Sequence, residues 1–165
     1  MSISAMNERT VLRRRALLAL LASAPLLPTR IARAQDNAAL NDAAKDVVTA
    51  FLKALRNEDM EAAMKFVAAP FVAEDAQIFA TEAEVKAYLT EMCLQLPAAE
   101  MPNEVLAILD YEQSRAATAA ATLKLRDSVL AKGDLLVATG RNGLSRGVLL
   151  VKANGGKPVV VGVGY

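Results

Sequence analysis

In the middle of the chain the apolar positions recur every three or four residues. Leu40, Ala44, Val47, Val48, Phe51 and Leu55 form one stripe, which predicts a helix. A polar, alanine-rich lead, "QDNAALND", precedes it. Lys53 and Arg56 sit in its last turn, where cations suit the helix dipole, and Asn57 is expected to break it. Met60, Ala63, Met64 and Val67 predict a second, shorter helix from about Glu58 to Val67, stopped by Pro70. "FVAEDAQIF" is too short and mixed for a helix and reads as a turn between two short extended pieces. Thr81 opens a third helix: "TEAE" is a capping box in which Glu84 reaches back, and Val85, Tyr88, Leu89 and Met92 are its buried stripe. Pro97 and Pro102 enclose a loop.

The period then changes. "EVLAILDYE" (104–112) alternates as a strand does. "SRAATAAATLKLRDSVLAKG" (114–133) is rich in alanine and predicts a helix, with Ser114 as its cap and Gly133 as its end. "DLLVATG", "RGVLLVK" and "PVVVGVGY" predict three strands. The Asn-Gly pairs between them are hairpin signals, so these strands form an antiparallel meander. Leu135 and Val137 point to one side and Leu136 and Ala138 to the other, so both faces of this sheet are apolar. A sheet with one wet face would alternate cleanly. One face must pack on helices, and the other must be covered by more chain or by a second subunit. A homodimer through the sheet is the expected partner.

Ahead of all this stands "RRRALLALLASAPLLP" (13–28). A membrane span needs about 20 apolar residues. This run is shorter and is interrupted by Pro25 and Pro28, and it has no polar face on which to rest as a core helix. It has the parts of an export signal: Arg13, Arg14 and Arg15 as the basic region, residues 16–28 as the apolar region, and "ARA" (32–34) as a small-x-small cleavage site after Ala34. The expected organisation is a signal peptide over 1–34 and a single domain over 35–165, exported to the periplasm or beyond. "RRALLALL" resembles a twin-arginine signal, with Leu12 or Arg13 where a polar residue usually precedes the pair; an ordinary secretory signal is the alternative. No cysteine closely follows the run, so no lipid anchor is implied.

Removing residues 1–34 changes the charge. The whole chain has 19 basic and 18 acidic residues; the mature part keeps 13 and 17, a net charge of −4. It has no basic excess for nucleic acid or an anionic membrane surface. Histidine is absent, which removes His-dependent triads, Cys–His dyads and the commonest zinc sites. Cys93, the single cysteine, is read as a buried thiol near the end of an apolar helix. "GGKP" has a proline and a strand after its lysine, which makes it a hairpin turn, not a phosphate loop. Glu74 and Asp75 are the acids with no structural job, but two adjacent carboxylates are too few ligands for calcium. Arg141 and Arg146 flank a hairpin turn and are read as solvated. No cofactor or metal site is expected. The best catalytic candidates are Asp110 and Tyr111, because an acid on a strand facing an apolar interior has a raised pKa and can move protons. The competing reading is that one of the two faces the core and the other faces water. Phe51 and Tyr88 are the candidate pocket residues.

"VVTAFLKALRNEDMEAAMKFVAAPFV", "FATEAEVKAYL", a strand, and "RGVLLVKANGGKPVVVGVGY" together resemble the nuclear transport factor 2-like superfamily, and within it the SnoaL-like group. The family's opening pairs a long helix with a short one through a phrase that here runs from Phe51 to Asp59. The resemblance covers most of residues 39–165. It implies an α+β fold: a cone-like curved antiparallel sheet packed on three to four helices, a pocket at the wide end, and frequent dimers through the sheet. Enzymatic members usually place an Asp, His or Tyr pair inside the cone; this chain has no histidine, and Asp110 and Tyr111 have no secure match to those positions. Two functions follow. The first is a non-catalytic binding or accessory domain with a small apolar ligand. The second is an isomerase or cyclase with Asp110 as base and Tyr111 or Tyr88 as hydrogen-bond donor. A pocket filled by Leu, Val and Met favours the first.

Overall fold

The computed structural model describes residues 34–73, 77–117, 130–153 and 157–164, all within the compact unit Ile31–Tyr165. The export signal, Glu74 and Asp75, and most of the helix expected over 114–133 lie outside the described residues. Helix α1 runs Ala34–Arg56. The polar lead expected ahead of it is part of the helix, since its alanines favour that state and no breaker intervenes. Ala44, Val47, Val48, Phe51 and Leu55 are buried along one side, as their spacing predicts.

The stop after α1 is made by Glu58 and not by Asn57. Glu58 takes the left-handed conformation, with φ 57°. The Asp59 N–H then donates back to Ala54 O at 2.9 Å, closing a Schellman-type end. Asp59 caps the next helix, α2 (Met60–Met64), by accepting from Ala62 N–H. This helix ends at Met64, three residues short of expectation, because Val67 belongs to strand β1 (Val67–Val72). Pro70 lies inside that strand.

β1 pairs antiparallel with β2 (Ile78–Phe79), through Phe71 with Phe79 and Val72 with Ile78. These are the two extended pieces expected around the turn. Helix α3 (Glu82–Gln95) starts with the expected capping box. Glu84 N–H donates to Thr81 Oγ1 at 3.3 Å, and Thr81 N–H donates to Glu84 Oε2 at 2.9 Å. Strand β3 (Glu104–Asp110) leads into helix α4 (Tyr111–Ala117). β4 (Leu135–Arg141), β5 (Leu144–Lys152) and β6 (Val159–Gly164) form the antiparallel meander. Asn142 and Gly143, both with positive φ, make the two-residue turn between β4 and β5.

The fold is α+β, with six strands in the order β2-β1-β6-β5-β4-β3. The sheet is mixed rather than wholly antiparallel, because β1 runs parallel to β6. Their register pairs Val67 with Val160 and Val72 with Gly162 and shifts in between, where Pro70 has no N–H to give. A Cβ on Gly162 would sit 2.7 Å from Val72 O, so glycine is what lets the two backbones meet.

Two apolar clusters flank the sheet. The larger joins Val48, Phe51 and Leu55 of α1 and Val85 and Leu89 of α3 to Phe71, Val137, Leu149, Val151 and Val160 of the strands. The smaller, on the other face, gathers Val72, Leu136, Leu150 and Val161 with Leu130 from outside the sheet. The sheet is thus apolar on both faces, as its sequence implies. The centre of the second face is buried within a single chain: Leu136, Leu150 and Val161 are each at most 3% exposed.

Candidate functional site

An apolar pocket lies between the helices and the sheet. α1 contributes Phe51, Leu52 and Leu55; α3 contributes Leu89 and Met92, followed by Leu96. Met101 and Pro102 close it from the loop before β3, and Thr139, Gly147, Leu149 and Val163 form its sheet wall. No lining side chain is charged. The one polar side chain, Thr139, is buried and donates its hydroxyl to Gly147 O at 3.1 Å, so its proton is already used. Gly147 sits directly across from Thr139 in the ladder, next to a bulge. Its φ is not positive, so the backbone does not require glycine there. Its position in the pocket wall, on the same side of β5 as Leu149, is where a side chain would fill the space.

Phe51, a candidate from the sequence, is buried and lines this pocket. Tyr88, the other candidate, is not among the lining residues. Its ring stacks on Phe79, centroids 4.8 Å apart, and tilts against Phe71 at 6.2 Å. Asp110 and Tyr111 are also away from the pocket. Asp110 ends β3 and caps α4: Gln113 N–H donates to its Oδ1 at 2.7 Å, while its own N–H donates to Gln113 Oε1 at 3.2 Å. That is a second capping box, Asp110-x-x-Gln113. It replaces the expected strand end at 112. It also displaces Ser114 from the cap into the helix, where its hydroxyl donates to Tyr111 O at 2.8 Å. Tyr111 opens α4 and packs with the cluster on the far face of the sheet. Asp110, Tyr111 and the pocket are therefore not brought together.

Sequence reasoning missed Asp134. It is fully buried, and its two carboxylate oxygens accept from Ala153 N–H at 2.8 Å and Ala131 N–H at 2.9 Å. The carboxylate thus clips the start of β4 to the end of β5. In the sequence it stands only as the first residue of the strand "DLLVATG". Cys93 is half-buried. Burial pushes its thiol pKa up, with a smaller push from the charge of Glu58, so it is held as a poorly reactive neutral thiol. Arg141, read as solvated, is half-buried, and its Nη1 has no hydrogen-bond partner among the described residues; Arg146 is exposed. Among the described residues, no group of three or more His, Cys, Asp or Glu side chains is gathered as metal ligands would be. No described helix is long and apolar enough to cross a membrane. Compared with known proteins, the chain matches no family model and no curated protein.

Proposed function

We propose that this chain is an exported, non-catalytic binding or accessory domain that takes a small apolar ligand between α1, α3 and the sheet. The observation that carries this reading is the wall of the pocket: Leu, Met, Phe and Val side chains, with one hydroxyl already committed and no titratable group. The isomerase or cyclase alternative needs Asp110 and a tyrosine to meet in a water-poor cavity. Asp110 is instead engaged at the start of α4, and Tyr88 is engaged in an aromatic stack. A nuclear transport factor 2-like cone of the SnoaL-like kind is the architecture we propose; a long and a short helix followed by α3, beside a meander with a pocket between, supports it. Export rests on residues 13–34. Cleavage after Ala34 would leave α1 whole from Gln35 onward.

Native mass spectrometry of the protein from its host's extracytoplasmic fraction tests both parts. The expected species starts at Gln35 and carries a small apolar molecule. A Gly147→Val variant should keep the fold and lose that extra mass. Wild type that never carries or takes up an apolar molecule overturns the binding role, and a species retaining residues 1–34 overturns the processing. Homodimerisation through the sheet is the least supported part, since one chain already buries the centre of the second face. Sedimentation of the mature chain as a monomer at micromolar concentration would remove it and leave the pocket untouched.

A further inference from the structure

The pocket encloses about 20 Å³, room for about one water molecule. Any larger guest must displace part of the wall. Phe51 and Leu89 are fixed on packed helices, and Thr139 and Leu149 on paired inner strands. The segment Leu96–Pro102 is different. Residues 97–100 are exposed, while Met101 (3% exposed) and Pro102 turn inward to the pocket. Within it the backbone bonds are local: the N–H groups of Glu100 and Met101 donate to Pro97 O at 2.7 and 3.2 Å. At its near end Leu96 N–H donates to Met92 O of α3 at 2.9 Å; beyond that, among the described residues, the next backbone tie to another element is Asn103 N–H to Gly140 O, just past its far end. This strap is held down by its inward side chains more than by its backbone, the character of a segment that opens locally.

Building on the binding role proposed above, we infer that the strap Leu96–Pro102 is the gate of the pocket, that Met101 is its latch, and that the guest it admits is a short, unbranched, uncharged alkyl chain. The shape follows from what leaves. An outward swing of Met101 vacates a narrow, unbranched channel continuous with the existing cavity, and a butyl-to-hexyl chain refills it. A ring or a branched chain would have to move α1, α3 or the sheet. The chemistry follows from the wall, which has no charge and no free donor to meet a headgroup, so any polar end stays at the strap, in water. Methionine suits a latch because its unbranched thioether repacks without strain.

The test uses the mature chain with its methionine methyl groups labelled for NMR, titrated with n-hexanol in the presence of a soluble paramagnetic agent. The expected result is a saturable shift of the Met92 methyl, together with increased solvent relaxation of the Met101 methyl. If Met92 responds and Met101 stays shielded, the pocket fills by another route; the gate is overturned while the binding role stands. If neither methyl responds, the binding role itself fails. Met101→Ala should raise the association rate of n-hexanol at least tenfold, and Met101→Leu, which keeps the volume, should leave the protein folded with an association rate no faster than wild type. An unchanged rate in a folded Met101→Ala overturns the latch. Cyclohexanol binding as tightly as n-hexanol overturns the ligand class.

Discussion

Asp134 shows how much one buried carboxylate can organise. Its two oxygens satisfy two backbone N–H groups that belong to different segments. Asp134→Ala leaves both donors without that acceptor, and at about 1–3 kcal/mol for a buried unsatisfied group the expected loss is about 3 kcal/mol, read from urea unfolding midpoints. Asp110 differs in kind. Asparagine caps a helix about as well as aspartate, so Asp110→Asn should shift stability by no more than about 0.5 kcal/mol and leave ligand binding unchanged. A loss of ligand turnover or binding in that variant would return Asp110 to the functional site. Its true role was legible in "DYEQ", which has the spacing of a capping box; the alternation of "EVLAILDYE" masked it, because a strand pattern and a cap share those residues. Asp134 was not legible, since nothing in "AKGDLL" announces that the chain will bring Ala153 within reach. Glu58 holds a left-handed backbone that costs a residue with a side chain about 1 kcal/mol. Glu58→Gly should therefore stabilise the protein by about that much in the same unfolding experiment. It should also lower the Cys93 pKa slightly by removing a nearby charge, seen as faster alkylation in mild alkali.

Among the elements, α3 is the one whose start depends most visibly on a titrating group. Glu84 is held below its ordinary pKa first by the Thr81 backbone N–H, then by the Thr81 hydroxyl, with the Ala80 N–H adding to both. A carboxyl whose folded pKa is lowered contributes stability that is present above the unfolded value, near 4.5, and is lost as pH falls through the lower folded value. Glu61 behaves the same way through the hydrogen bond and charge of Lys86. The melting temperature of the wild type should thus drop on acidification below about pH 4.5 more steeply than that of Glu84→Gln; parallel curves would show that the cap carries no pH dependence. Local elements such as this were readable because their causes are local: the spacing in α1, the box at Thr81 to Glu84, the Asn-Gly turn between β4 and β5. The early end of the second helix, with Val67 passing to β1, was not readable. Val67 sits at a helical spacing from Met64, and only its pairing with Val160, more than half the domain away, decides for strand. The parallel direction of β1 has the same origin. The pocket was half legible: Phe51 lay on a visible stripe, whereas Gly147 and Met101 gain meaning only when the sheet and the strap meet.

At the scale of the whole domain, the sheet separates two apolar territories. The helix side carries the pocket, and the far side holds Tyr111 with Leu136, Leu150 and Val161. That division explains why the catalytic candidates and the cavity do not coincide: β3 delivers Asp110 to a strand end, where the chain turns away to start α4. The sheet order has a consequence in time. β6 lies between β1 and β5, so the strand synthesised after all the others described is the one that joins the two halves. Until Val159–Gly164 leave the ribosome, β1 with β2 and the β3–β4–β5 set are separate pieces, with no strand pairing between them among the described residues. A nascent chain halted before Val159 should be cut readily by protease in the β1 and β5 regions, and one released beyond Gly164 should resist; early resistance would mean that the helices alone can close the domain. Under the export proposed above, vectorial synthesis hands the translocation machinery an unfinished sheet. A threading route meets a chain that is still unfolded, and a route that carries folded cargo must wait for these closing residues.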